Sequence, residues 1–157
     1  MMNTAINYHG RSAVQAYIEP EVRNETQVQK SHISRVTEVI IPQTSNRDNI
    51  ILPLVASMTK QKTASNQEKN QDRWVTWITD RKPSYQQLKA FGANANSLRI
   101  IHVEESKDNR WIIWDALNTG NSHTVIADTH LLNSGDIAEM EAAASNGRCT
   151  GTLVRSH

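Results

Sequence analysis

The sequence predicts a three-layer α/β domain built on a mainly parallel sheet, and three observations carry that reading. From Arg73 to Arg155, short β-branched runs alternate with helical runs in the order β-α-β-α-β-α-β, and one further strand and helix precede them. The connections are only a few residues long, which suits parallel strands joined by right-handed crossovers. At 157 residues the chain can form one domain with a real core and has little left over for a second.

Residues 1–32 are polar without sustained periodicity, and the helical run "RSAVQAYI" is stopped at Glu19-Pro20, so a mobile N-terminal arm is expected. A single α/β domain is expected over 33–157. "ISRVTEVIIP" (33–42) alternates, is rich in β-branched residues and is closed by Pro42, which reads as a strand at an edge of the sheet. "DNIILPLVASMTKQ" (48–61) spaces Ile50, Ile51, Leu54, Val55 and Met58 as a helix, with Asp48 as its N-cap and Pro53 in its first turns. Residues 62–72, "KTASNQEKNQD", read as a flexible polar loop. Next come the strand "RWVTWIT" (73–79), a helix at 83–92 with Ser84 near its start and Gly92 beyond its end, and the strand "SLRIIHV" (97–103). They are followed by a helix over 106–120 ending at Gly120, the strand "HTVIADT" (123–129), a helix over 134–147 ending at Asn146-Gly147, and a last strand at 148–155.

All four tryptophans lie in two similar words, "RWVTW" and "RWIIW". On a strand Trp74 and Trp77 point to opposite faces, as a doubly covered parallel strand requires. On a helix Trp111 and Trp114 share a side, and Ile113, Trp114 and Leu117 form the inward stripe, with Trp111 at its border. The words are therefore not a structural repeat, and their tryptophans read mainly as core. Arg73 begins a strand and Arg110 opens a helix that follows one, so the two arginines belong at opposite poles of the sheet.

The formal net charge is +1, so there is no electrostatic footprint for nucleic acid or an anionic membrane. The lone Cys149 cannot close an intramolecular disulfide, and the N-terminus has no apolar signal region. A cytoplasmic protein is expected. Ligands of an open α/β sheet usually lie at the carboxyl ends of its strands. After the first core strand that position holds "TDRKPSYQQ", which has no glycine, and Pro83 separates Lys82 from Ser84, so it does not cradle phosphate. "TVIAD" ends a buried strand in Asp128, and Glu104 and Glu105 follow another strand at the same pole, a weak pattern for metal or acid–base chemistry. The six histidines lack close metal-ligand spacing, and Cys149 reads as a small packed hydrophobe. No catalytic residue, metal site or cofactor is expected.

From about Ile33 to Arg155 the chain resembles the SulA family of bacterial cell-division inhibitors. The resemblance rests on "ISRVTEVIIP", the "ILPLV" helix, "RWVTWIT", the helix to Gly92 and the strand after it, "ALNTGNSHTVI" and "EMEAAASNGRCTGTLVR". It implies a RecA-like core without a functional P-loop, and a non-enzymatic protein of the SOS response to DNA damage. Such a protein binds the tubulin-like GTPase FtsZ and blocks assembly of the division ring. The family's contact residues fall at Arg73, Ile78 and Leu88. A family lysine falls at Ser97, a departure, with Arg99 close by. Ile78 reads equally as core, and Arg73 is the residue that packing does not explain. The resemblance also implies turnover by the Lon protease through a C-terminal tag. Here the chain stops at "VRSH", leaving His157 as the residue matching the tag, and the 62–72 stretch is longer than the family's. A homodimer through the 33–42 strand is a further expectation. Two alternatives stay open: an ImuA-like accessory protein of damage-tolerance DNA synthesis, and a residual nucleotide hydrolase using Asp128 and Glu104.

Overall fold

The computed structural model describes residues 33–64, 73–104, 108–130 and 132–156. The expected N-terminal arm, most of the 62–72 stretch, Glu105 and the His157 position lie outside these residues. All described residues belong to the second of the chain's two units, 32–157.

Among the described residues, five strands and four helices follow in the order β1 (Val36–Ile41), α1 (Asp48–Ala64), β2 (Trp74–Thr79), α2 (Tyr85–Ala90), β3 (Leu98–His102), α3 (Arg110–Asn118), β4 (Ser122–Thr129), α4 (Ser134–Gly147) and β5 (Thr150–Ser156), with a 3-10 turn at Ala95–Ser97. The strands form one sheet in the order β1-β5-β4-β2-β3, and every pair is parallel. The expected architecture is therefore present, with β1 at one edge as Pro42 suggested and β3 at the other.

The period-2 pattern of the inner strands divides the core between two faces. Val75, Trp77, Ile126 and Val154 point to the layer of α1 and α2, where they meet Ile51, Leu52, Val55 and Leu88. Ile78, Val125, Ala127 and Leu153 point to the layer of α3 and α4, where they meet Ile113, Leu117, Met140 and Ala143. Trp77 is buried in the first layer, whereas Trp74 is half-buried on the other side, so the alternation read from "RWVTW" holds. Each fully buried aliphatic side chain contributes about 1.5–3 kcal/mol relative to exposure, which is why two apolar faces hold a five-stranded sheet without disulfides.

Helix α1 differs from expectation at both ends. Asp48 lies inside the first turn of α1, and the capping oxygen comes from Asn46, whose Oδ1 accepts from the Asp48 N–H at 3.1 Å. Helix α1 runs to Ala64, into the stretch expected to be loop. Pro53 sits well inside that helix, where it removes one backbone donor; burial of Ile51, Leu52 and Val55 around it offsets the loss. Helix α4 ends at Gly147 as expected. The left-handed residue that ends α4 is Arg148 (φ 52°), not the glycine. Gly147 is needed for closeness instead: a Cβ there would lie 1.9 Å from the Leu117 carbonyl oxygen, so α4 could not pack against the end of α3. The start of α4 carries a capping box between Asn133 and Asp136. Glu141 on α4 accepts from the backbone N–H groups of Arg35 (2.6 Å) and Val36 (2.9 Å), which fastens the start of edge strand β1. No helix among the described residues is long and apolar enough to cross a membrane.

Candidate functional site

The residues singled out in the sequence do not form one exposed cluster. Arg73 lies at the amino pole, as expected from its place before β2. Its Nη1 donates to the Arg148 carbonyl at 3.0 Å, and its Nη2 donates to the carbonyls of Ser122 (2.5 Å) and Gly147 (2.6 Å). Two of these oxygens end α4, where a guanidinium also complements the negative end of the helix. Arg73 thus has the structural explanation that packing alone did not supply. Ile78 is fully buried in the α3/α4 layer. Ser97 is buried too, with its hydroxyl donating to the carbonyls of Thr59 (3.4 Å) and Asn94 (3.2 Å). Arg99 is exposed, and its guanidinium lies 5.2 Å from the centre of the Trp74 ring, a cation–π distance.

Leu88 is nearly inaccessible, yet it forms part of the floor of a groove of about 110 Å³ between α2 and β3. Tyr85, Lys89, Leu98 and Ile100 complete much of its lining. Tyr85 is 64% exposed, and Phe91 and Ile100 are each 41% exposed. Beside this groove runs β3, the edge strand of the sheet among the described residues, and around that edge lies the Trp74–Arg99 pair. The arrangement is a partly apolar surface with Lys89 in its lining and Arg99 around its margin. It offers no pair of groups set for proton transfer.

The carboxyl pole holds a different cluster. Helices α2 and α4 leave adjacent strands β2 and β4 on opposite faces of the sheet, which creates the crevice where open α/β sheets bind ligands. Asp128 ends β4 there with 2% exposure. It forms an ion pair with buried Arg47, accepts from Thr79 Oγ1 at 2.5 Å, and its backbone carbonyl accepts from Asn109 Nδ2 at 2.8 Å. Desolvation raises the Asp128 carboxyl above its ordinary value, against the Thr79 hydrogen bond and the Arg47 charge, which pull it down. Arg47 comes from the β1–α1 connection, "PQTSNR", which has no glycine. This loop, and not the one after β2, meets Asp128. Its arginine is the cation that faces the buried carboxylate. Glu104 follows edge strand β3, two strands from β4. Among the described residues, no group of three or more His, Cys, Asp or Glu side chains could hold a metal ion.

Arg47 was missed in the sequence because it precedes a helix in an unremarkable polar loop and meets Asp128 only across the sheet. Trp111 was underestimated as well: it is 71% exposed, stacked on Trp114 with ring centres 4.9 Å apart. Cys149 packs as expected. It is buried, its Sγ–H donates to the Leu117 carbonyl at 3.3 Å, and burial pushes its thiol up to about 11.

No family model and no curated protein matches the chain. Among solved structures it is similar to the crystal structure of SulA from Pseudomonas aeruginosa, with a TM-score of 0.59 and 21% sequence identity. The match covers 78% of this chain and 98% of that one. At this identity the likeness establishes a common fold.

Proposed function

We propose that this chain is a non-enzymatic, SulA-like inhibitor of cell division that binds FtsZ and prevents its polymerisation, and hence septum formation, during the SOS response. The observation that carries the reading is the fold held in common with SulA over almost the whole of that protein. The composition of the α2–β3 surface favours it. A protein that blocks a filament interface needs a modest apolar patch with a cation or two and no reaction chemistry.

On this reading the contact surface is the groove above Leu88 with exposed Tyr85 and Ile100 at its rim, and Arg99 around the β3 edge. Arg73, Ile78 and Ser97 act from behind. Arg73 anchors the start of β2, Ile78 fixes β2 in the core, and Ser97 fixes the entry to β3 against α1. Substitutions at these three positions would change binding through the shape of the domain.

The test is sedimentation of FtsZ with GTP in the presence of this protein. We expect polymer to fall in proportion to added protein, and Arg99→Glu and Tyr85→Ala to restore it while circular dichroism and melting temperature stay near wild type. Undiminished FtsZ polymer at a molar excess of the folded wild-type protein sinks the proposal. Full inhibition by both variants would leave inhibition standing but remove the surface assigned to it.

A further inference from the structure

Near the start of helices α3 and α4 lies a groove of about 270 Å³, on the opposite face of the sheet from the α2–β3 surface. Its walls include Trp111, Trp114, Asp108, Asp136 and Glu139, with Arg110 between the carboxylates and Met140 below. The stacked indoles are parallel to within 10°, so Trp114 supports one face of Trp111 and the other face looks outward. An indole left 71% exposed is an uncommon feature on a monomeric domain, and this one is stacked on a neighbouring indole.

The charge around the indoles decides what suits them. Helix N-termini attract anions, but both of these are already answered. Asp136 accepts from the Asn133 N–H at 2.9 Å in the capping box of α4, and Asp108 accepts from the Arg110 N–H at 3.0 Å at the start of α3. Arg110 is likewise occupied: its guanidinium bonds both oxygens of Asp108 at 2.6–2.9 Å and reaches Asp136 Oδ1 at 3.1 Å. Glu139 is the third carboxylate, one turn beyond Asp136 and exposed. With three carboxylates against one guanidinium, the groove retains negative charge next to an open π-face. An anion is repelled there, and a neutral apolar group would leave Glu139 desolvated without a partner. A planar cation satisfies both elements at once, by stacking on Trp111 and pairing with Glu139.

We propose that the α3/α4 groove is a docking site for an arginine-bearing segment of a partner protein, with the guanidinium stacked on Trp111 and paired with Glu139. Arginine fits better than lysine because its flat guanidinium can stack and hydrogen-bond simultaneously. The site is separate from the proposed FtsZ-binding surface and does not depend on that assignment.

The probe is a capped Gly-Leu-Arg-Leu-Gly peptide titrated into the full-length protein, followed by the Trp111 indole N–H resonance, which is identified by its loss in Trp111→Phe. We expect a saturable shift that weakens with added salt, with Gly-Leu-Glu-Leu-Gly giving none. Trp111→Ala and Glu139→Gln should each weaken binding, detected on the neighbouring Trp114 resonance, by about fivefold or more. Both changes are on exposed side chains, so the variants should retain the wild-type melting temperature. Equal response to the arginine and glutamate peptides, or unchanged affinity in folded Trp111→Ala, overturns the proposal. A concentration-dependent dimer that dissociates in Trp111→Ala also overturns it, because the groove would then be occupied by a second copy of this chain.

Discussion

Replacing Arg47 by methionine removes the cation that faces Asp128 while keeping much of its apolar stem. Both partners are largely shielded from water, with side-chain exposures of 9% and 2%. Breaking such a pair from one side typically costs about 3–5 kcal/mol, since the remaining charge is buried without compensation. Thr79 still donates to Asp128, which places the expected loss at the lower end, about 3 kcal/mol. Asp128 also has an escape. Its folded-state pKa is already raised by burial, and without Arg47 it rises further. A carboxyl with a raised folded-state pKa binds protons more tightly in the folded state. Its relative stabilisation is therefore complete below the unfolded carboxyl pKa and is lost as pH rises through the folded value. The Arg47→Met penalty should accordingly be smaller at pH 5 than at pH 8. Adding Asp128→Asn to Arg47→Met removes the orphaned charge and should recover most of the loss, whereas Asp128→Asn alone leaves Arg47 stranded. The assay is urea unfolding followed by tryptophan fluorescence at both pH values. With m near 1–3 kcal/mol/M, the single variant should lower the midpoint at pH 8 by about 1–3 M. A single-variant loss under 1 kcal/mol, or a double variant no better than the sum of the singles, would show that the two charges do not compensate each other in the buried pair.

Three further outcomes follow from contacts described above. Gly147→Ala places a Cβ 1.9 Å from the Leu117 carbonyl oxygen, and because backbone is the obstacle α3 and α4 must separate; a loss of about 3 kcal/mol or more is expected, and an unchanged melting temperature would refute the close approach. Arg73→Ala releases three carbonyl oxygens at the amino pole and should cost about 2 kcal/mol, with Arg73→Lys recovering only part because one ammonium cannot reproduce the fork; equal stability of Lys and wild type counts against the geometry. Cys149, buried and with its thiol pushed up to about 11, should react with a disulfide reagent at pH 8 only as fast as the domain opens, so rapid labelling of the folded protein would contradict its placement.

Arg73 shows how sequence and structure divide the information. Its position at the amino pole was legible from the strand it precedes, and the opposite placement of Arg110 from the helix it opens. Its role was not legible, because the carbonyls of Ser122, Gly147 and Arg148 come from segments about 50 to 75 residues away. The same holds for Ile78 and Ser97. A motif match places a residue on an element, but exposure depends on which helix lies over that element. The Trp words illustrate the favourable case: strand and helix periods alone separated Trp74 from Trp77 and joined Trp111 to Trp114. How far Trp111 protrudes depended on the packing of α3 against α4, which no local pattern records.

The sequence by itself determined the type, order and approximate ends of every strand and helix in the described domain. Hydrophobic period, β-branching, glycine and proline act over a few residues and need no partner to be read. It also determined that the sheet is parallel, since each strand is followed by a helix. Only the tertiary structure decided the strand order β1-β5-β4-β2-β3, in which β1 and β4, distant in sequence, come within one strand of each other. That order brings Arg47 onto Asp128. The physical reason is that the pair's energy exists only once both groups have left water together, and no local pattern records which two groups will do so.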